Sequence, residues 1–141
     1  MNFSIDKNIL QNLLIEHHKV IPIRTTLPIL STAFLKIEKN ILTIKTTDLE
    51  QTIISSTEIE DEQKGSVCIP MGKLHEIVSA MPQDKISFSI NEDFLVEINN
   101  KQGAYKITGR SPEEFPEDPT SKTTDKIKLQ GELLYNIIEA T

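Results

Sequence analysis

One arrangement of apolar residues occurs three times in this chain, and it constrains the fold more than any other feature. Residues 3–14 read FSIDKNILQNLL, residues 67–78 read VCIPMGKLHEIV, and residues 127–138 read IKLQGELLYNII. Each opens with apolar residues two apart (Phe3 and Ile5, Val67 and Ile69, Ile127 and Leu129), the spacing of a half-buried strand. A turn-like or helix-start residue follows. Asp6 is a good N-cap, Pro70 has the fixed φ suited to a helix opening, and Gln130 is a weaker cap. The apolar spacing then changes to three and four: Leu10, Leu13 and Leu14; Leu74, Ile77, Val78 and Met81; Leu134, Ile137 and Ile138. That spacing gathers each set on one helical face. The polar face carries Lys7, Asn8, Gln11, Asn12, His18 and Lys19 in the first helix, and Lys73, His75, Glu76 and Ser79 in the second. Each helix is expected to bury one side against a sheet and to offer the other to solvent or a partner.

Strand patterns follow both helices. Leu35 and Ile37 lead into a turn at Lys39 and Asn40, then come Ile41 to Thr47 and a weakly alternating stretch, 51–57. In the second copy Ile86, Phe88 and Ile90 alternate, as do Phe94, Val96 and Ile98, with a turn at Asn91, Glu92 and Asp93; Tyr105 and Ile107 continue the pattern. The expected fold is α+β, with one domain made of two β-α-β-β-β units.

The copies differ by an insertion. Helix starts lie 64 residues apart but the later hairpins only 53, and much of the extra length falls between His18 and Pro28. Extra loop length costs little closure entropy, and loops on a rigid scaffold often carry function. Arg24 is the only arginine of that loop. The stretch 109–124, with Pro112, Pro116 and Pro119 among Ser, Thr, Asp and Glu, reads as a linker, with Phe115 anchoring it to a surface. The expected organisation is a domain over 1–108, a linker over 109–124, and the beginning of a second domain over 125–141.

Composition narrows the function. The 141 residues carry a net charge of −6, which argues against a general nucleic-acid coat but permits a local basic face. No apolar run approaches the roughly 18 residues of a membrane helix, and no signal-peptide core is present, so a cytoplasmic location is expected. Cys68, the single cysteine, sits in an apolar run and is expected to be a buried free thiol. Asp48 and Glu50 could suggest paired catalytic carboxylates, but no nucleophile or base accompanies them; Asp48 is expected to organise a turn and Glu50 to be solvated. His17, His18 and His75 form no zinc pattern, and the glycines form no phosphate loop. No cofactor or metal is expected.

In their order and intervals, several segments resemble the bacterial sliding clamps, the β subunits of DNA polymerase III. These are MNFSIDKNILQNLL; Arg24 to Leu30; Thr47-Asp48-Leu49-Glu50; Val67 to Pro70; Ser111 to Pro116; and Leu133 to Thr141. The resemblance implies a ring of head-to-tail subunits, with helices lining the hole and sheets forming the outer wall. It implies a homodimer around double-stranded DNA without sequence specificity. The ring would tether the replicative polymerase, without an active site of its own. Clamp loader and polymerases would bind mainly through later domains, and no membrane is involved.

Arg24 matches the arginine of the family's DNA-facing loop, and His18 and Lys19 precede it, although cations also suit a helix C-terminus for local reasons. Lys73 corresponds to a family lysine facing the neighbouring subunit, while the basic residue before it is Gly72 here. Met81, Tyr105 and Ile107 match apolar positions near that junction, or fill the local core; Lys101 and Lys106 are expected to add charge complementarity. The alternative is a non-catalytic assembly module of a repeated-sheet fold without DNA linkage.

Overall fold

The computed structural model describes residues 1–22 and 27–116, with the side chains of 61 and 62 left aside. Arg24, the later part of the expected linker and the third repeat lie outside the described residues.

The first repeat forms strand β1 (Asn2–Asp6), helix α1 (Lys7–His18), and strands β2 (Thr32–Glu38), β3 (Ile41–Thr47) and β4 (Thr52–Glu58). A short strand β5 (Glu60–Gln63) comes next. The second repeat forms β6 (Gly65–Pro70), α2 (Met71–Ala80), β7 (Lys85–Ile90), β8 (Leu95–Asn100) and β9 (Gly103–Thr108). The Asp6 carboxylate accepts from the Asn8 N–H at 3.1 Å, and Pro70 stands at the start of α2. Thirteen residues join α1 to β2, with a 3-10 turn at Pro28–Ser31, whereas four join α2 to β7. The insertion lies where the sequence placed it.

Periodicity did not reveal that the repeats exchange their first strands. One sheet has the order β5-β1-β7-β8-β9 and the other β4-β3-β2-β6. β1 therefore completes the sheet of the second repeat, and β6 that of the first. Phe3 faces Phe88 across the β1–β7 ladder, with the rings stacked 4.6 Å apart. One continuous core results, joining Phe3, Ile5, Leu10 and Leu14 to Leu35, Ile44, Ile69, Leu74, Val78, Ile86, Val96 and Ile98. Neither repeat closes a core without the other.

The turns follow from local chemistry. Lys39 and Asn40, at φ 54° and 61°, make the two-residue connection between β2 and β3, where positive φ matches strand twist. Thr47 and Asp48 build the β3–β4 turn. The Asp48 carboxylate accepts from the N–H groups of Glu50 and Gln51, at 2.9 and 2.7 Å, and Thr47 Oγ1 accepts from the Leu49 N–H. Asp48 thus organises the turn as expected, and Glu50 is exposed.

Four expectations need correction. Lys7 is buried rather than on the polar face, at 8% exposure, because it is the first residue of α1 and its N–H donates to the Asp84 carbonyl; a lysine stem can cover apolar surface. Phe94 belongs to the turn, at φ 62°, because the Asn91 carboxamide accepts from both the Asp93 and Leu95 N–H groups. The stretch 51–57 is shifted by one residue, and its alternation is weak because β4 is an edge strand. β5 (EDEQ) gave no apolar signal.

Residues 109–116 fold back across the domain. The Gly109 N–H donates to the Phe94 carbonyl at 2.8 Å, and Arg110 exchanges two backbone hydrogen bonds with Cys68. A Cβ on Gly109 would stand 2.7 Å from the Phe94 oxygen and 3.0 Å from the Cys68 oxygen, so only glycine fits this approach. Ser111 caps a 3-10 turn at Pro112–Glu114, and Phe115 is buried against Phe34 of β2, as its anchoring role requires.

Candidate nucleic-acid interface

Helices α1 and α2 pack side by side and run in opposite directions. At one end the Lys7 N–H reaches Asp84, just beyond α2; at the other the rings of His18 and His75 stack, with centroids 4.9 Å apart and planes within 4°. The end of α1 therefore lies beside the beginning of α2. His18 and Lys19 come from the first repeat, and Lys73 and His75 from the second. They share one end of the helix pair, where the 13-residue connection also departs. His18, Lys19 and Lys73 are exposed, and His75 is half-buried. Lys19 forms an exposed ion pair with Glu16 at 3.4 Å, an arrangement worth little to stability.

His17 points the other way. It is fully buried; its Nδ1 lies 2.7 Å from Thr46 Oγ1 on β3 and its Nε2 2.9 Å from Ser55 Oγ on β4. Either hydroxyl can donate or accept, so a neutral imidazole satisfies both. Burial lowers its pKa from 6.5 to about 4, against the weaker opposing effect of Glu16. This histidine fastens α1 to the four-stranded sheet. Burial likewise pushes the Cys68 thiol up to about 11, which makes it unreactive. Among the described residues no group of three or more His, Cys, Asp or Glu side chains is placed to hold a metal. No helix there is long and apolar enough to cross a membrane.

The residues expected at a subunit junction divide into two kinds. Met81 and Ile107 are core residues of this domain, each 4% exposed. Tyr105 and Lys106, on the outermost strand β9, are exposed. Lys101 is ion-paired with Asp84 within the chain at 3.3 Å; the Lys85 N–H, then Lys101, hold that carboxyl below its ordinary pKa. Lys73, Tyr105 and Lys106 are thus the members that present surface.

Sequence reasoning missed His75 as a neighbour of His18. Both residues were on the expected polar faces. The missing signal was the antiparallel packing that two helices sharing one core adopt here.

Comparison with known proteins places this arrangement. The pattern of the DNA polymerase III beta subunit, N-terminal domain, matches residues 1–119. A beta sliding clamp sequence from Vibrio harveyi is 28% identical over 142 residues, covering all of this chain and 98% of that relative. The beta sliding clamp of Staphylococcus epidermidis is 30% identical over 149 residues, and the chain spans 40% of its length. Among solved structures, the sliding clamp (DNA polymerase III subunit beta) of Pseudomonas aeruginosa bound to griselimycin aligns with a TM-score of 0.80 at 26% identity. The alignment covers 84% of this chain and 32% of that one. A Bartonella birtlesii sliding clamp gives the same TM-score and identity. Matched along most of its length in sequence and in fold, the chain belongs to the DNA polymerase III beta subunit family, in the region of that family's N-terminal domain.

Proposed function

We propose that this chain is the N-terminal part of a sliding clamp, a homodimeric ring that encircles duplex DNA and tethers the replicative polymerase to its template. The observation that carries this reading is the family match over 1–119, joined to the fold shared with the Pseudomonas clamp. The role is non-catalytic and uses no cofactor. α1 and α2 face the duplex, and the sheets form the outer wall. His18, Lys19 and Arg24 meet phosphates. β9, with Tyr105 and Lys106, meets the second subunit beside Lys73, while Met81 and Ile107 support that surface from the core. Clamp loader and polymerases bind through regions beyond this chain.

Physical chemistry favours this division of labour. A protein that slides cannot hold base edges, because each step would break those contacts; sparse phosphate contacts position DNA without reading it. A body with net charge −6 discourages sticking elsewhere, while the cations at one end of the helix pair tolerate the duplex. Persistence then comes from topology rather than affinity.

The test loads the full-length protein onto circular DNA and compares retention after linearisation. Retention on the circle and loss through free ends is the expected result. Equal retention on both means ordinary binding and rejects the clamp. No retention on either, with loading verified on a control clamp, favours an assembly module without DNA linkage.

A further inference from the structure

The stacked His18–His75 pair is the feature of the helix face that neither the fold nor ion pairing accounts for. The two rings come from different repeats and lie parallel across the α1–α2 seam, 4.9 Å between centroids. Imidazole is the side chain whose ordinary titration falls between pH 5 and 8. A stack of two imidazoles accepts one proton readily, since the neutral ring can face the charged one, and a second proton only against like-charge repulsion. The pair therefore switches between no charge and about one positive charge, held in a fixed position by packing on two helices.

We propose that His18 and His75 act together as one proton-linked contact for the phosphodiester backbone of DNA. This rests on the clamp reading above, which turns the helix pair toward the duplex. His75 adds a positioning residue from the second repeat to the first repeat's contact, and a proton taken up by the pair strengthens the grip on a passing phosphate.

The surrounding charges leave this role to the pair. On α1 the neighbours are Glu16 and Lys19, paired with each other; on α2 they are Lys73 and Glu76. Beneath α1, β3 and β4 present the neutral Thr46 and Ser55 hydroxyls, with Lys45 of β3 set over the Phe115 ring and Asp48 engaged by turn amides. Of the strands against α2, β2 carries Lys36 and Glu38, ion-paired at 3.3 Å, β9 carries Lys106, and β6 carries no charged side chain. Asp84, at the far end of the helices, is held by Lys101. His17, the third histidine of the sequence, is buried and stays neutral where its neighbours titrate.

The experiment measures association of the full-length protein with a short fluorescent duplex across a salt series, at about pH 6 and about pH 8. The slope of log affinity against log salt is expected to be steeper at the lower pH by about 0.9, the equivalent of one phosphate contact. His18→Gln and His75→Gln each abolish that difference, whereas His18→Lys shows the steep slope at both pH values. Thermal unfolding measured beside each variant separates loss of contact from loss of fold. An unchanged slope, or no measurable association at the lower pH, overturns the proposal. If circular DNA is still retained topologically, the clamp reading survives that failure; if it is not, both fall.

Discussion

An offset of 64 residues superposes the two repeats and sets Leu10 on Leu74, Leu13 on Ile77 and Leu14 on Val78. The same offset sets Lys7 on Met71 and His17 on Met81, and all four of these side chains are buried. The second repeat thus builds its helix with apolar residues throughout the buried face and returns to the sheet in four residues. The first substitutes a lysine and a hydrogen-bonded histidine at matching positions and returns in thirteen. The shared leucine ladder specifies the architecture. The departures mark where one copy acquired polar anchorage and a long connection, the segment that carries Arg24. A repeat can therefore vary its loop freely as long as the helix that carries the loop is fixed at its end, which is where His17 sits.

The largest effect tests whether the copies are separate. Leu10→Ala and Leu74→Ala should each cost about 2–5 kcal/mol, the range for deleting a buried leucine. Because the repeats exchange β1 and β6, both variants should unfold in a single transition monitored by calorimetry. Two transitions in either would mean that the repeats are independent, and the comparison would become one between two domains.

A second test isolates the polar anchor of the first repeat. The pKa of His17 is 6.5 when unperturbed and about 4 in the fold, so the unfolded chain binds the extra proton between those values. Stability is therefore full above the unfolded pKa and declines as pH falls from about 6.5 toward about 4, by about 3 kcal/mol in all. His17→Met, which copies the second repeat, should flatten that part of the acid limb in urea titrations. It should also cost about 1–3 kcal/mol near neutrality, since the Thr46 and Ser55 hydroxyls lose their partner. An acid limb unchanged in the variant would show that His17 is not the group that titrates.

The smallest effect concerns the exposed side of α2. Gly72 occupies the position of Asn8, and a Cβ there would meet nothing within 4 Å. Gly72→Ala should stabilise the domain by up to about 1 kcal/mol through helix propensity alone, read as a small rise in Tm. A loss instead would reveal a contact specific to glycine in the second repeat.

Much of this fold was legible in the sequence because it is written in local periods. Phe3 and Ile5 announce a strand, Asp6 a cap, and Lys39 with Asn40 a tight turn. Period reports which face of an element is buried but not what lies across from it, so the exchange of β1 and β6 stayed hidden. EDEQ carries no apolar residue to report anything, and β5 was missed for that reason. Lys7 was misplaced because residue type outweighed its position beneath Met71's equivalent. At the candidate interface, Lys19 and Lys73 could be named from sequence, but their shared location could not. That follows from two helices running in opposite directions over one core. Proline content made 109–116 read as a spacer, although Gly109 and Phe115 bind it to both sheets.

The exchanged first strand also sets an order of events during synthesis. β1 leaves the ribosome first, yet its main ladder partner β7 spans Lys85–Ile90, so Asn2 waits for Ser89. At a translation rate of about 5–20 residues per second, that interval lasts several seconds. Throughout it the leading strand keeps an unsatisfied edge. The four-stranded sheet can assemble once β6 emerges, whereas the five-stranded one must wait for the chain to pass β9. The nascent protein thus completes the sheet that bears the polar anchor before the one that seals its own beginning.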